Sequence, residues 1–341
     1  MTETTERILV IKLGAFGDIV QATGPFAAIR RHHPAAFIVL LTGRPYAEFM
    51  QGSPCFDAVW EDERPGLWSP RRLWALRARL RGGRFTRVYD LQTSDRSSFY
   101  FRLMGRPPWS GIARGCAWPH ANPDRDRMHT LDRQAEQLVL AGLPVTPAPD
   151  VSWVRADESR FGVQAPFVLM VAGGAPHRPG KRWPAERYAA LVPWLWQRGV
   201  TPVLIGTERD RPHITALLTA CPRAVDLLGQ TTCADLVGLG RRASAAIGND
   251  TGPMHLLAVS GCPCVVLFGP SSDPAFCAPR GSGTVTVMRA PRLDALQVTT
   301  VAAALTALGK DALSPHSIGS SEDSVHGKRV KDTVPDAIPL P

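Results

Sequence analysis

Residues 243–268 carry the pattern that most restricts how this chain can fold. Ala243 to Ile247 is an apolar run of strand length, and Asp250 closes it. Thr251 and Gly252 open a helix, with Pro253 in the first turn, where a missing N–H costs nothing. The helix runs to about Ser260, Gly261 ends it, and Pro263 to Phe268 reads as a second buried strand. Strand, helix and strand in that succession call for parallel pairing, and a parallel sheet must be covered on both faces.

The same alternation runs through the chain. In the first half, strands are expected at Ile8 to Leu13, Phe37 to Leu41, Ala58 to Trp60 and Arg87 to Leu91. Helices are expected at Asp18 to Arg31, Arg44 to Gln51, Pro70 to Leu80, Ser94 to Met104 and Thr130 to Ala141. A Pro-rich passage (Pro144, Pro147, Pro149, Pro166) reads as a linker. The pattern then restarts, with strands at Phe167 to Val171 and Pro202 to Ile205. Helices follow at Ala185 to Gln197, Arg209 to Leu218, Asp235 to Arg241 and Leu293 to Leu308. The reading is two similar open α/β domains, residues 1–150 and 151–310, facing across a cleft. A tail at 311–341 has no periodicity.

In such sheets ligands bind at the carboxyl ends of the strands. The turn at Asp250–Gly252 is such an end. Its free backbone N–H groups and the helix dipole favour an anion. Thr251 adds a hydroxyl and His255, one turn on, a ring N–H, so a diphosphate is expected there. In the loop 172–184, Gly173 and Gly174 follow a strand and Lys181 precedes a helix. That lysine reads either as a phosphate ligand or as a solvated loop residue. Glu208, after another strand, either accepts ribose hydroxyls or caps the next helix. In the first half, Gly14 and Gly17 permit a tight turn and close approach of a ligand, and Asp18 starts a helix that it caps well. The spacing G-x-x-G-D fits neither the dinucleotide fingerprint nor a phosphate loop.

Other groups read more plainly. Asp124 and Asp126 form a D-x-D pair in a loop rather than at a strand end, so no metal is expected. His120, His129 and Asp132 flank that loop, with at most acceptor contacts expected. His32 and His33 suit a helix C-terminus. Cys262 and Cys264 share one face of a strand and read as core. The seven cysteines, an odd and scattered set, suit reduced thiols. No apolar run is long enough to span a bilayer and no signal peptide is visible, so a cytoplasmic protein is expected. The net charge of +9 favours anionic partners. The arginines do not interleave with aromatics as a single-strand binder requires, so nucleic acid is not expected. Their densest run, Arg71 to Arg87, is either a solvated helix face or a face leaning on an anionic membrane.

Three segments together resemble the family 9 glycosyltransferases, the ADP-heptose:lipopolysaccharide heptosyltransferases. They are L-G-A-F-G-D-I-V, G-K-R-W-P-A-E-R-Y and N-D-T-G-P-M-H-L-L-A followed by G-C-P-C-V-V-L-F-G-P-S-S-D-P. The resemblance implies a GT-B fold of two Rossmann-like domains, with a nucleotide sugar such as ADP-heptose on the C-terminal one. A lipopolysaccharide-type acceptor would lie on the N-terminal one. It implies that Asp18 is the catalytic base and that Lys181 holds donor phosphate. Glu208 would lie near the ribose, Asp250 near the transferred sugar, and Thr251, Gly252 and His255 along the diphosphate. No cofactor is implied. One carboxylate opposite the leaving group implies inversion. A GT-B nucleotide-sugar epimerase and a non-catalytic nucleotide or glycolipid binder remain open as alternatives.

Overall fold

A computed structural model describes residues 6–66, 68–174 and 178–308. The tail expected from Asp311 onward lies outside the described residues.

The N-terminal lobe runs β1 (Arg7–Ile11), α1 (Phe16–Gln21), α2 (Thr23–His32), β2 (Phe37–Gly43), α3 (Arg44–Gln51), β3 (Ala58–Asp62) and α4 (Pro70–Gly82). It continues with β4 (Arg87–Asp90), α5 (Asp95–Leu103), β5 (Trp109–Gly111), β6 (Trp118–Pro119) and α6 (Thr130–Leu140). The C-terminal lobe runs β7 (Phe167–Val171), α7 (Ala185–Trp196), β8 (Thr201–Leu204), α8 (Thr215–Ala220), β9 (Val225–Asp226) and α9 (Cys233–Arg242). It ends with β10 (Ala245–Asn249), α10 (Gly252–Val259), β11 (Cys264–Phe268), α11 (Pro274–Cys277), β12 (Val285–Arg289) and α12 (Val298–Ala307).

Each lobe holds one six-stranded sheet, in the orders β3-β2-β1-β4-β5-β6 and β12-β11-β10-β7-β8-β9. Every pairing is parallel. Counted within its own lobe, the second order repeats the first. In both, the strand order reverses beside the first strand, which opens a crevice at the carboxyl ends of β1 and β4 and of β7 and β10.

Both faces of each sheet are buried, as the unbroken apolar runs require. Ile8 and Val10 of β1 pack into one cluster, Leu9 and Ile11 into the cluster on the other face. Leu169 and Val171 divide from Val168 and Met170 in the same way on β7. Each such side chain, fully withdrawn from water, contributes roughly 1.5–3 kcal/mol. Cys262 and Cys264 lie in one of these clusters, and all seven cysteines are free thiols.

Prolines explain two departures from the sequence reading. The helix expected over Asp18 to Arg31 is two helices, α1 and α2, meeting at Ala22. Pro25 lacks the N–H and its ring would strike the carbonyl four residues back, so one helix cannot run through. Pro212 likewise limits Glu208–His213 to a 3-10 segment before α8 begins. The last expected helix also divides, into a 3-10 turn at Leu293–Ala295 and α12. Strands β5, β6 and β9 hold only two or three residues, too few to show a period.

Candidate functional site at the interlobe crevice

The two crevices meet because α1 of the N-terminal lobe lies on α10 of the C-terminal lobe, the most extensive helix–helix contact among the described residues. Glycine makes this possible on both sides. A Cβ on Gly17 would fall 2.7 Å from His255 Cδ2, and one on Gly252 would fall 2.8 Å from Phe16 Cδ1. Val20 of α1 is fully buried in the C-terminal lobe's own apolar cluster. Gln21 pairs with the backbone of Arg280, donating from Nε2 to its carbonyl at 3.0 Å and accepting its N–H at 3.2 Å.

Asp18 sits in the first turn of α1, partly exposed, and its Oδ2 accepts the Ala15 N–H at 3.2 Å. It thus caps its own helix, as its residue type favours. Gly14 stands before this turn with φ of +135°, which itself favours glycine, and Tyr46 Cε2 lies 2.9 Å from where a Cβ would be.

On the other side, Thr251 precedes α10 without capping it: its hydroxyl donates to the Asn249 carbonyl at 3.2 Å. The first N–H groups of α10 therefore have no side-chain cap. Lys181 Nζ lies 2.6 Å from Asp250 Oδ2, and His255 Nε2 lies 3.8 Å from Asp250 Oδ1. All three side chains are largely buried. Burial would raise the Asp250 carboxyl, but His255 and Lys181 outweigh it and hold it at about 2. The other ring nitrogen of His255, Nδ1, is buried without a hydrogen-bond partner. Cys277 is pushed up to about 11 by burial and then by Asp250. It also feels Lys181 and Asp18, so the charges of both lobes converge around it.

One residue that the sequence reading passed over ties this side together. The Asn249 carboxamide is fully buried. Its Oδ1 accepts the Trp183 N–H at 2.9 Å and the Tyr188 hydroxyl at 3.1 Å. Its Nδ2 donates to the carbonyls of Ala172 at 2.9 Å and Gly173 at 3.0 Å. All four of its hydrogen-bonding positions are engaged, and both loops flanking the start of α10, 172–174 and 181–183, hang from it.

Beside α10 a cleft of about 480 Å³ runs along the carboxyl ends of β7 and β8, lined by Gly173, Gly174, Thr207, Arg209, Thr231, Thr232, Leu236 and Thr251, with Phe16 reaching in from the other lobe. Asp210 supports its wall by accepting the N–H of Gly174 at 3.1 Å and of Thr207 at 2.9 Å. Two Thr-x-x-Asp capping boxes, Thr207 to Asp210 and Thr232 to Asp235, frame this cleft. That spacing was the available signal for it.

The expected site residues thus divide. Thr251, Gly252, His255, Asp250 and Lys181 form one cluster, with Gly17 and the helix of Asp18 against it. Glu208 stands apart, exposed on the rim, where Arg211 grips it at 2.8 and 3.0 Å and lowers its carboxyl. His129 and Asp132 bind the other lobe instead: His129 Nε2 meets the Ala278 carbonyl at 3.0 Å, and Asp132 pairs with Arg280 at 2.7 Å. His120 turns to Glu136 at 3.4 Å. Asp124 and Asp126 pair with Arg127 and Arg125 on the surface.

The sequence description of glycosyltransferase family 9 (heptosyltransferase) matches residues 73–297. The chain belongs to glycosyltransferase family 9. This glycosyltransferase is 38% identical over 300 residues to lipopolysaccharide heptosyltransferase 2 of Salmonella typhimurium, covering 80% of this chain and 85% of that one. It is 34% identical over 137 residues to lipooligosaccharide heptosyltransferase 2 of Haemophilus influenzae, which covers 38% of this chain and 39% of that protein. Its fold is GT-B. The solved E. coli ADP-heptose lps heptosyltransferase II superimposes with a TM-score of 0.75 at 23% identity, over 89% of this chain and 98% of that one. No described helix of this enzyme is long and apolar enough to cross a membrane.

Proposed function

We propose that this glycosyltransferase moves a heptose, or a related sugar, with inversion from an ADP-sugar to the inner core of a lipopolysaccharide-type glycolipid. The reaction is read as taking place at the inner face of the cytoplasmic membrane, without a metal or other cofactor. The observation that carries the reading is the meeting of α1, bearing Asp18, with the uncapped start of α10.

The chemistry follows from the charges. As the glycosidic bond to the diphosphate breaks, the sugar carbon becomes positive and the leaving oxygens become negative. The first N–H groups of α10, with Thr251 and Lys181, stabilise the departing diphosphate. An ammonium has three N–H donors, so Lys181 can keep its bond to Asp250 and still give one to phosphate. Asp18, from the opposite lobe, takes the proton of the attacking hydroxyl. The nucleoside lies in the cleft along β7 and β8. Glu208 has a free lone pair on each oxygen, so it can accept a ribose hydroxyl while Arg211 still holds it. The named relatives favour transfer over an epimerase or a binder without activity.

The test is release of nucleoside diphosphate from ADP- and UDP-sugars, with and without a heptose-deficient lipopolysaccharide. Acceptor-dependent release from an ADP-sugar is expected. Release that ignores the acceptor, or conversion of the sugar without release, would overturn the reading.

A further inference from the structure

We propose that the outer side of α4 is a docking surface for an anionic lipid bilayer, a deepening of the membrane-face reading above. Leu76 and Leu80 of this helix are buried against the lobe. The opposite stripe, at spacings of three, three and four residues, is Arg71, Trp74, Arg77 and Arg81, all exposed. Trp74 is 68% exposed and Trp68, just ahead of the helix, is 97% exposed.

What separates this stripe from an ordinary solvated face is the pair of exposed indoles, Trp68 and Trp74, beside cations on a helix free of carboxylates. The helix carries no acidic residue. Arg72 and Arg79, on its flank, are engaged, by Glu63 at 3.0 Å and by the Trp60 ring at 4.5 Å. Among the described residues, Arg71, Arg77 and Arg81 have no carboxylate partner, so no neighbouring acid neutralises the stripe. Two unsheltered indoles among unpaired guanidinium groups match a bilayer interface: the rings enter the headgroup layer and the cations take lipid phosphates. A nucleic-acid strand is matched by a charged groove instead, and this is the outside of one helix.

The placement suits the reaction. The first turn of α4 supplies Arg72 to a cleft of about 470 Å³ shared with Gly43, Tyr46 and Arg64. The Arg64 guanidinium donates to the Leu13 carbonyl at 2.5 Å, at the turn that leads into the helix of Asp18. An enzyme resting on α4 therefore brings this cleft of the N-terminal lobe, and the turn at Leu13 behind it, toward the lipid.

Sedimentation of the full chain with phosphatidylcholine vesicles, with and without phosphatidylglycerol, tests the proposal. Binding is expected only to the anionic vesicles and should fall with added salt. Arg77→Ser and Arg81→Ser should each lower the partition about five-fold, and Trp74→Ser should lower it as well. Equal binding to neutral vesicles, or a triple variant that binds like the parent, would overturn it. So would equal loss of oligonucleotide binding with lipid binding unchanged. Transfer to a delipidated oligosaccharide acceptor should be the same in the triple variant and the parent. Absence of that transfer in the parent would sink the reading of the reaction while leaving the vesicle result intact.

Discussion

The imidazole of His255 occupies the space in which Gly17 would carry a side chain, with Cδ2 2.7 Å from that position. Gly17→Ala must therefore separate α1 from α10. A misplacement of about 1 Å between reacting groups can cost on the order of a hundred-fold in rate. Turnover should fall by that order, while donor binding, which the proposed reaction assigns to the C-terminal lobe, changes little. Steady-state kinetics beside a donor titration checks this.

Asp18→Asn isolates proton transfer from architecture. Asparagine retains an oxygen for the Ala15 N–H, so the cap survives. Loss of a general base typically costs roughly 10²–10⁴-fold. Transfer should drop by that factor with nucleotide affinity nearly intact, and turnover close to that of the parent would remove Asp18 from the role.

Lys181→Ala strips Asp250 of its nearest cation, 2.6 Å away. The carboxylate is buried, so breaking the pair should lower stability by about 3 kcal/mol. Loss of a charge-assisted hydrogen bond to the donor should weaken its binding roughly ten- to a hundred-fold. Calorimetry on the nucleotide and thermal melts measure the two effects separately.

Asn249→Asp replaces the donor facing the Ala172 and Gly173 carbonyls with an acceptor. Two buried carbonyls lose their partner, at about 1–3 kcal/mol each. The melting temperature should fall and donor KM should rise more than turnover falls, because both loops beside the anion site lose their anchor. An unchanged KM in a folded variant would limit Asn249 to stability.

Asp90 gives a pH signature of its own. Burial raises its carboxyl to about 6 from a usual 3.8, despite the N–H groups of Thr93 and Gln92 on one oxygen. The folded state thus holds a proton that the unfolded chain has released. Its contribution is full below pH 3.8 and is lost as pH rises through 6, a span of about 3 kcal/mol. Asp90→Asn should flatten the melting temperature over that window, and an identical slope in both proteins would contradict this.

The long apolar runs and the helix starts were legible in sequence because each repeats over enough residues to show a period. That Thr251, Gly252 and His255 gather at the start of α10 was legible for a similar reason, as one continuous strand–turn–helix encodes them. Asn249 was not, since its four partners lie at residues 172, 173, 183 and 188 and only the fold gathers them. From His129 and Asp132 the sequence supports at most acceptor contacts. Their partners, Ala278 and Arg280, lie nearly half the chain away, and no local pattern reveals that.

The tie between Gln21 and the Arg280 backbone bears on how such enzymes can be recombined. The helix that carries Asp18 is held at its far end by the other half of the molecule. A hybrid that borrows only the first half from a relative would therefore keep its carboxylate yet lose its registration. Transplants should carry the 278–282 segment along with α1, and hybrids made with and without it offer a direct comparison.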